Sequence, residues 1–342
     1  MDYMQDDQPK QFDYVVVGAG FSGAYCAGQL AKRGFRVAIV DKARGTGGRL
    51  SSKRLSLDDQ PIGFDLGAHS FEVSNANFDA YLKSRRDVVI QEGESRKRAY
   101  SLSRNSSFAR GALGEATPYF GKRVLEARFE EGVWNLVLES REGKSALKAT
   151  YCVLAAPPKQ AAQILGEHHP LFGQLDAVEH EAQWVAMFAL GSGSKPVAEL
   201  RRLLSQEKIN SDVVRDIVFD HDKQGRDKLE ELEVVVVHAQ PDWTLAQVDS
   251  DPEMVADRLL QEVASLIDKP VKELRDCILT KHVHRWLYAR PKAAYRLASG
   301  YLSSAADNLL ICGDYFTVNS EFGVESAFLS AHALLGMESG AK

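Results

Sequence analysis

No two cysteines in this chain stand close enough in sequence to suggest a metal knuckle or a redox dithiol. The four, Cys26, Cys152, Cys277 and Cys312, are far apart and form no C-x-x-C pair, which argues against zinc and dithiol chemistry. Each has apolar neighbours and reads as a small buried side chain. No apolar run reaches transmembrane length. The first ten residues are polar and acidic, unlike a secretory leader. Neither sign of charge dominates: 42 basic against 47 acidic residues leave −5, giving no reason to invoke nucleic acid or an anionic membrane. The Arg85–Arg86 and Arg96–Lys97–Arg98 clusters read as solvated surface. Repeats and low-complexity tracts are absent, and no serine, histidine and aspartate stand in the context of a nucleophilic triad. What remains is 342 residues, 44% hydrophobic and 26% charged, the composition of a globular chain long enough for two lobes. Cytoplasmic residence and a site without metal are expected.

The informative stretch is residues 14 to 54. An apolar strand, Tyr14 to Val17, runs into Gly18, Gly20 and Gly23, spaced G-x-G-x-x-G. A small-residue helix comes next, then Gly34 and a second strand, Val37 to Val40, ending on Asp41. In this setting Gly18 permits a tight turn, Gly20 lets backbone approach a pyrophosphate, and Gly23 lets helix pack on strand. The helix start, with Phe21 and Ser22, offers free amides and a partial positive charge. Asp41 lies 23 residues beyond Gly18, where an acid accepts from both ribose hydroxyls and disfavours a 2′-phosphate. A dinucleotide, NAD or FAD rather than NADP, is the expected ligand.

The residues after Asp41 and Lys42 separate the two cofactors. Arg44 to Ser52 reads RGTGGRLSS and fits an R-x-G-G-R-x-x-S/T type of pattern, with one residue more between Arg44 and the glycine pair. A fixed guanidinium pairs with phosphate oxygens, and glycines let amides reach them. The segment resembles the large FAD-containing family of amine oxidases, in which the second arginine and the glycine backbone hold the pyrophosphate and approach the flavin. By this resemblance Arg44, Gly48, Arg49 and Leu50 bind FAD.

The resemblance narrows to bacterial renalase-like flavoproteins. DKARGTGGRLSSKR, FDLGAHSF (Phe64 to Phe71), HRWLYARP (His284 to Pro291) and CGDYF (Cys312 to Phe316) occur in that order, with weaker matches between, over about residues 12 to 337. It implies that Gly313 and Asp314 form a second FAD motif, and that Gly323, Val324 and Glu325 begin a helix aimed at the flavin's pyrimidine edge. It also implies that Asp65, Gly67 and Ala68 run along the isoalloxazine, that Val124 contacts adenine through its backbone, and that Ala155 belongs to the cofactor site. The chain departs from its relatives in carrying His69 after the Gly-Ala pair, where they often have Gln, and Tyr315 where Trp is common. The stretch from Phe71 to Arg104, which helps wall the substrate pocket in the family, is shorter by on the order of 20 residues.

The order of elements implies an α/β (α+β) fold: a Rossmann-type FAD-binding domain with an inserted mixed-sheet substrate domain, the architecture of p-hydroxybenzoate hydroxylase. The expected division is 11–74, 104–165 and 284–342 for the cofactor domain, 75–103 and 166–283 for the substrate domain, and 1–10 for a flexible tail. Asn75 to Arg86 reads as an amphipathic helix. Strands are expected at Trp134–Glu139, Tyr151–Ala155, Gln183–Leu190, Asp216–Phe219, Leu232–His238, Ile278–Trp286 and Asn308–Cys312. Asp251-Pro252-Glu253 signals a helix start. A last helix, Val324 to Leu335, turns Ala327, Phe328, Ala331 and Leu335 inward.

Three pocket residues are singled out as catalytic candidates. His238 ends a strand of four valines. Trp286 shares one strand face with His284, Tyr288 and Arg290, and His69 adjoins the flavin-contacting segment. Aromatics there can stack on a planar ring, and an arginine can meet phosphate or carboxylate. Each also fits a role in the core, so that alternative stays open for them. The expected activity is a flavin-dependent oxidase of renalase type, taking a hydride from dihydro-NAD(P) isomers and passing electrons to molecular oxygen. An amine oxidase or desaturase of small molecules, and a flavin-binding protein without turnover, are the alternatives.

Overall fold

The computed structural model describes residues 9–93, 96–206, 209–227, 231–316 and 323–340. Most of the expected tail, residues 1–8, lies outside them. Lys10 already opens a strand, Lys10–Val17, at the centre of an eight-stranded sheet. Parallel neighbours flank it, Val37–Asp41 on one side and Gly143–Leu154 on the other. Thr117–Phe120 and Leu309–Ile311 extend the parallel run at either end. A hairpin, Arg123–Glu130 and Val133–Ser140, leads antiparallel into Gly143–Leu154.

Side chains alternate across this sheet as the strand period requires. Tyr14 and Val16 enter one core with the helices Phe21–Lys32, Asn105–Leu113 and Gly323–Gly340. Val15 and Val17 enter another with Trp134, Leu136 and Leu138. Cys26, Cys152 and Cys312 are buried as expected, but Cys277, just past the helix Val271–Arg275, is half-exposed.

A second, four-stranded antiparallel sheet orders Val214–Phe219, Leu232–Ala239, His180–Gly191 and Ile278–Pro291. Trp184, Ala186 and Phe188 face the helix Pro252–Leu266, whose start is capped by Asp251 accepting from the amides of Glu253 and Met254. Val185, Met187 and Ala189 take the opposite face and pack on Ile62, Phe64 and Leu66. Ile62 and Phe64 belong to a hairpin of Ser52–Leu57 and Gln60–Asp65, which therefore lies between the two lobes.

Two of the expected domain limits move. The strand Ile278–Pro291 stays paired with His180–Gly191 as far as the His180–Pro291 pair, so the return to the first lobe comes after Pro291, not at residue 284. In the segment 75–103, Phe78, Leu82 and Ala99 pack into the same core as Tyr14 and Val16, so that segment joins the first lobe.

Candidate active site

The turn after the central strand is built as its glycines require. Gly18 takes φ +107°, and a Cβ on Gly23 would stand 2.0 Å from the Gly18 carbonyl oxygen. At Gly20 the same test meets nothing within 4 Å. That space adjoins the first turn of the helix Phe21–Lys32, whose start no side chain caps and which, as a helix N-terminus, carries partial positive charge. Asp41 turns one carboxylate oxygen to the Ala19 amide at 2.6 Å and the other to the Ala43 amide at 2.7 Å. Burial raises its pKa, against those two amides.

From this turn a cleft of about 1920 Å³ runs between the lobes, larger than the roughly 300–1,000 Å³ of a drug-sized pocket. Gly18, Gly20, Phe21, Ser22, Asp41 and Lys42 line one end, with Lys122, Arg123 and Val124 beside them. Gly48, Arg49, Leu50, Ala155, Gly313, Asp314, Gly323 and Val324 line the middle. Ala68, His69, Trp286 and Tyr288 line the far end. Arg49 donates both terminal nitrogens to the two oxygens of Asp314 at 2.6 Å, joining the amino-terminal motif to the carboxy-terminal one.

Other residues expected at the site stand off the cleft. Gly23 is the packing glycine just described. Arg44 is exposed and outside the cleft. Gly67 sits behind it, where a Cβ would be 1.8 Å from the Arg49 carbonyl oxygen. Glu325 is buried and accepts from the Ser74 amide and hydroxyl and the Asn75 amide, tying the last helix to the first lobe. Asp65 is fully buried and held by Ser52, the Asn105 amide, Lys223 and Arg226. Burial alone would raise Asp65, but Lys223 and Arg226 outweigh it and hold the carboxyl below its usual range. Lys223 also pairs with Asp220, so a buried ionic cluster joins the hairpin to the second sheet.

His238 is buried behind His69, with ring centroids 5.9 Å apart, and among the described residues neither of its ring nitrogens has a hydrogen-bond partner. Burial, with the nearby charges of Arg215, Lys223 and Arg290, holds it well below the usual histidine value. His69 itself is pushed down to about 3, first by burial and then by Lys223. It is therefore neutral. Its Nε2 lies 2.7 Å from Asp216 and its Nδ1 3.1 Å from the Ser70 hydroxyl, an arrangement met by Nε2–H donating and Nδ1 accepting. Trp286 is fixed by its indole N–H, which donates to the Leu66 carbonyl oxygen at 3.3 Å, and by edge contact with His284. The neighbouring Arg285 leaves by the other face, over the Trp184 ring.

Sequence reasoning missed several residues of the cleft. Arg96 and Arg98 line it rather than facing solvent alone. Arg215, Asp216 and Glu181 line it too, and only the strand alternation of their neighbours hinted at it. Thr46 lines it with a buried hydroxyl that has no partner among the described residues. That orphaned hydroxyl, the open space at Gly20 and the uncapped helix start all fit the polar spine of a dinucleotide.

Residues 16–84 match the family of NAD(P)-binding Rossmann-like domains. Over the whole chain, a cofactor-site redesign of putrescine oxidase superposes with a TM-score of 0.64 at 11% identity, covering 97% of this chain and 100% of that one. The fold is that of putrescine oxidase. A protoporphyrinogen oxidase-like protein from Exiguobacterium sp. 255-15 gives 0.62 at 11% identity over 98% of this chain and 99% of that one. An oxidoreductase from Methanosarcina mazei gives 0.58 at 12% identity, covering 94% and 99%. Among the described residues no helix is long and apolar enough to cross a membrane, and no cluster of metal-ligating side chains occurs.

Proposed function

We propose that the cleft holds FAD and that the protein is a flavin-dependent oxidoreductase of renalase type, oxidising dihydronicotinamide isomers. The observation that carries this reading is the continuity of the cleft, in which the glycine turn, Arg49 with Asp314, and the His69–Trp286 end share one space.

In this reading the helix start at Phe21 and Ser22 receives the pyrophosphate, with the Thr46 hydroxyl and Arg49 beside it. Asp41 keeps a second lone pair on each oxygen for ribose hydroxyls. Gly313, Asp314, Gly323 and Val324 receive the ribityl chain and the edge of the ring. FAD held there would supply the hydride acceptor and the route for two electrons to oxygen, with hydrogen peroxide as product. The chain's own residues place the substrate. Trp286 and Tyr288 give flat apolar surface against a planar ring, and His69 lines the same cleft with its tautomer set by Asp216 and Ser70. His238 acts from behind as a positioning residue that keeps His69 in place.

An amine oxidase reading has the shared fold of putrescine oxidase in its favour. The visible spectrum of the purified protein, followed by anaerobic titration with dihydronicotinamide isomers and then with amines, separates the two. Bleaching of the flavin band by the isomers supports the first reading. Bleaching only by amines transfers the assignment to the second, and protein without flavin removes both.

A further inference from the structure

The far end of the cleft carries arginines that no acid among the described residues pairs with. Arg98 comes from the strand Lys97–Ser101, Arg215 from Val214–Phe219 and Arg290 from Ile278–Pro291, and all three line the cleft. Among the described residues none of the three makes an ion pair within 4 Å, although Arg49, Arg85, Arg96, Arg201 and Arg226 all do. Three acids accompany them, Glu181 directly across the strand pair from Arg290. Asp216 is held by His69 at 2.7 Å, Glu72 is held by Arg96 at 2.9 Å, and Glu181 forms no ion pair within 4 Å among the described residues. With His69 neutral, four arginines (96, 98, 215, 290) face three acids (72, 181, 216), a net charge of +1.

Two further facts show that the three arginines act on one place. All of them exert their charge on the Asp216 carboxyl. Arg215 is half-buried, and burial together with the like charge of Arg290 brings it down to about 10. A guanidinium at that value is still charged at neutral pH; Asp216 and Glu181 act on it in the opposite sense, yet neither stands within ion-pair distance of it among the described residues, and Arg98 and Arg290 reach solvent beside it. An entering oxyanion would meet guanidinium groups that no ion pair among the described residues already occupies.

We propose that Arg98, Arg215 and Arg290 form a subsite for an oxyanion of the substrate, a phosphate or a carboxylate, beside His69. The proposal rests on the reading of the cleft as a flavin and substrate site and adds what the substrate must carry. Planar guanidinium groups supplied by three separate strands to one cleft match the tetrahedral or planar oxygens of such a group and would set which end of the substrate points toward His69 and Trp286. The same charges oppose a cationic diamine, so sharing a fold with putrescine oxidase does not extend to sharing its kind of substrate.

The test uses the flavin-loaded protein and two matched reductants, a dihydronicotinamide mononucleotide isomer with one phosphate and the corresponding riboside without it. The mononucleotide is expected to reduce the flavin with an apparent Kd at least tenfold below that of the riboside, and Arg215→Gln to erase the difference. Equal Kd values in the wild type overturn the subsite, although the reduction itself still supports the flavin reading. If neither compound reduces the flavin, calorimetry decides, with inorganic phosphate and benzoate titrated at fixed ionic strength into wild type, Arg215→Gln and Arg290→Gln. Binding of either probe that weakens tenfold or more in both variants upholds the subsite and shows which oxyanion it prefers. Unchanged binding, or none, overturns it. Circular dichroism of each variant shows whether it folds, and Arg290 is exposed enough for its substitution to spare the core.

Discussion

Arg49 and Asp314, separated by 265 positions in sequence, meet in a two-bonded ion pair at 2.6 Å across the middle of the cleft. The Asp314 side chain is 3% exposed and that of Arg49 is 34% exposed. Replacing Arg49 with Met strands a buried carboxylate. Loss of one partner of a buried pair costs about 3–5 kcal/mol, and water at Arg49 reduces that here to roughly 1–2 kcal/mol. A melting temperature a few degrees lower and loss of bound flavin on gel filtration are expected. An R49M protein that melts like the wild type and keeps its flavin would show that the pair contributes neither.

Two glycines of the same turn should respond in opposite ways to replacement by alanine. Gly23→Ala drives a Cβ to 2.0 Å from backbone that cannot retreat, so soluble folded protein should be scarce. Gly20→Ala meets nothing in the protein and should leave the stability of the flavin-free form within about 1 kcal/mol of wild type. It should still weaken flavin binding by tenfold or more, because the methyl occupies the approach to the helix start. Fluorescence titration with FAD measures it, and unchanged affinity would remove the pyrophosphate from that place.

Lys223 bridges Asp65, at 2.8 Å, and Asp220, both buried. Lys223→Met leaves Arg226 alone between two carboxylates. About 3–5 kcal/mol of stability should go, read from urea unfolding followed by tryptophan fluorescence. A loss below about 1 kcal/mol would mean that one carboxyl simply takes up a proton, which a lower midpoint at higher pH would then reveal.

Stability should fall on mild acidification. His69 is held to about 3, His180 to about 4 and His238 well below the ordinary histidine value, each first of all by burial. The folded state keeps them neutral while the unfolded chain protonates below about 6.5. Their contribution is therefore complete above that pH and is lost as pH drops toward the folded values. Between pH 7.5 and 5.5 each such group removes about 1.4 kcal/mol. Asp41 and Asp216, whose pKa values are raised, work in the opposite sense nearer the carboxylate range. A melting temperature independent of pH over that interval would contradict neutral burial of these rings, and His238→Phe should flatten the slope by its share.

The glycine turn at one end of the candidate site was legible because its signals are local. Gly18, Gly20, Gly23 and Asp41 specify a turn, a helix start and a strand end within 24 residues, and strand periodicity located the second sheet. The hairpin Ser52–Leu57 and Gln60–Asp65 was missed although Asp58 and Asp59, both at positive φ, are residues that tolerate such a turn. His238 could have been oriented from its strand. It shares the alternation of Val234 and Val236, which pack toward Ile62 and Phe64, so its ring points to the first lobe. The partners of Asp65 were beyond reach. Lys223 and Arg226 lie 158 and 161 positions away, and no spacing rule connects charges brought together only by the docking of two lobes. Arg98 and Arg215 were hidden for the same reason.

That buried cluster has a consequence for the inserted sheet. Because Asp65 is anchored by Lys223 and Arg226, the first lobe and the second sheet are mortised together rather than merely abutted. Transplanting the second sheet onto a related framework would fail unless the recipient also offers an acid where Asp65 stands, so the insert is inherited with its socket and not as a free cassette.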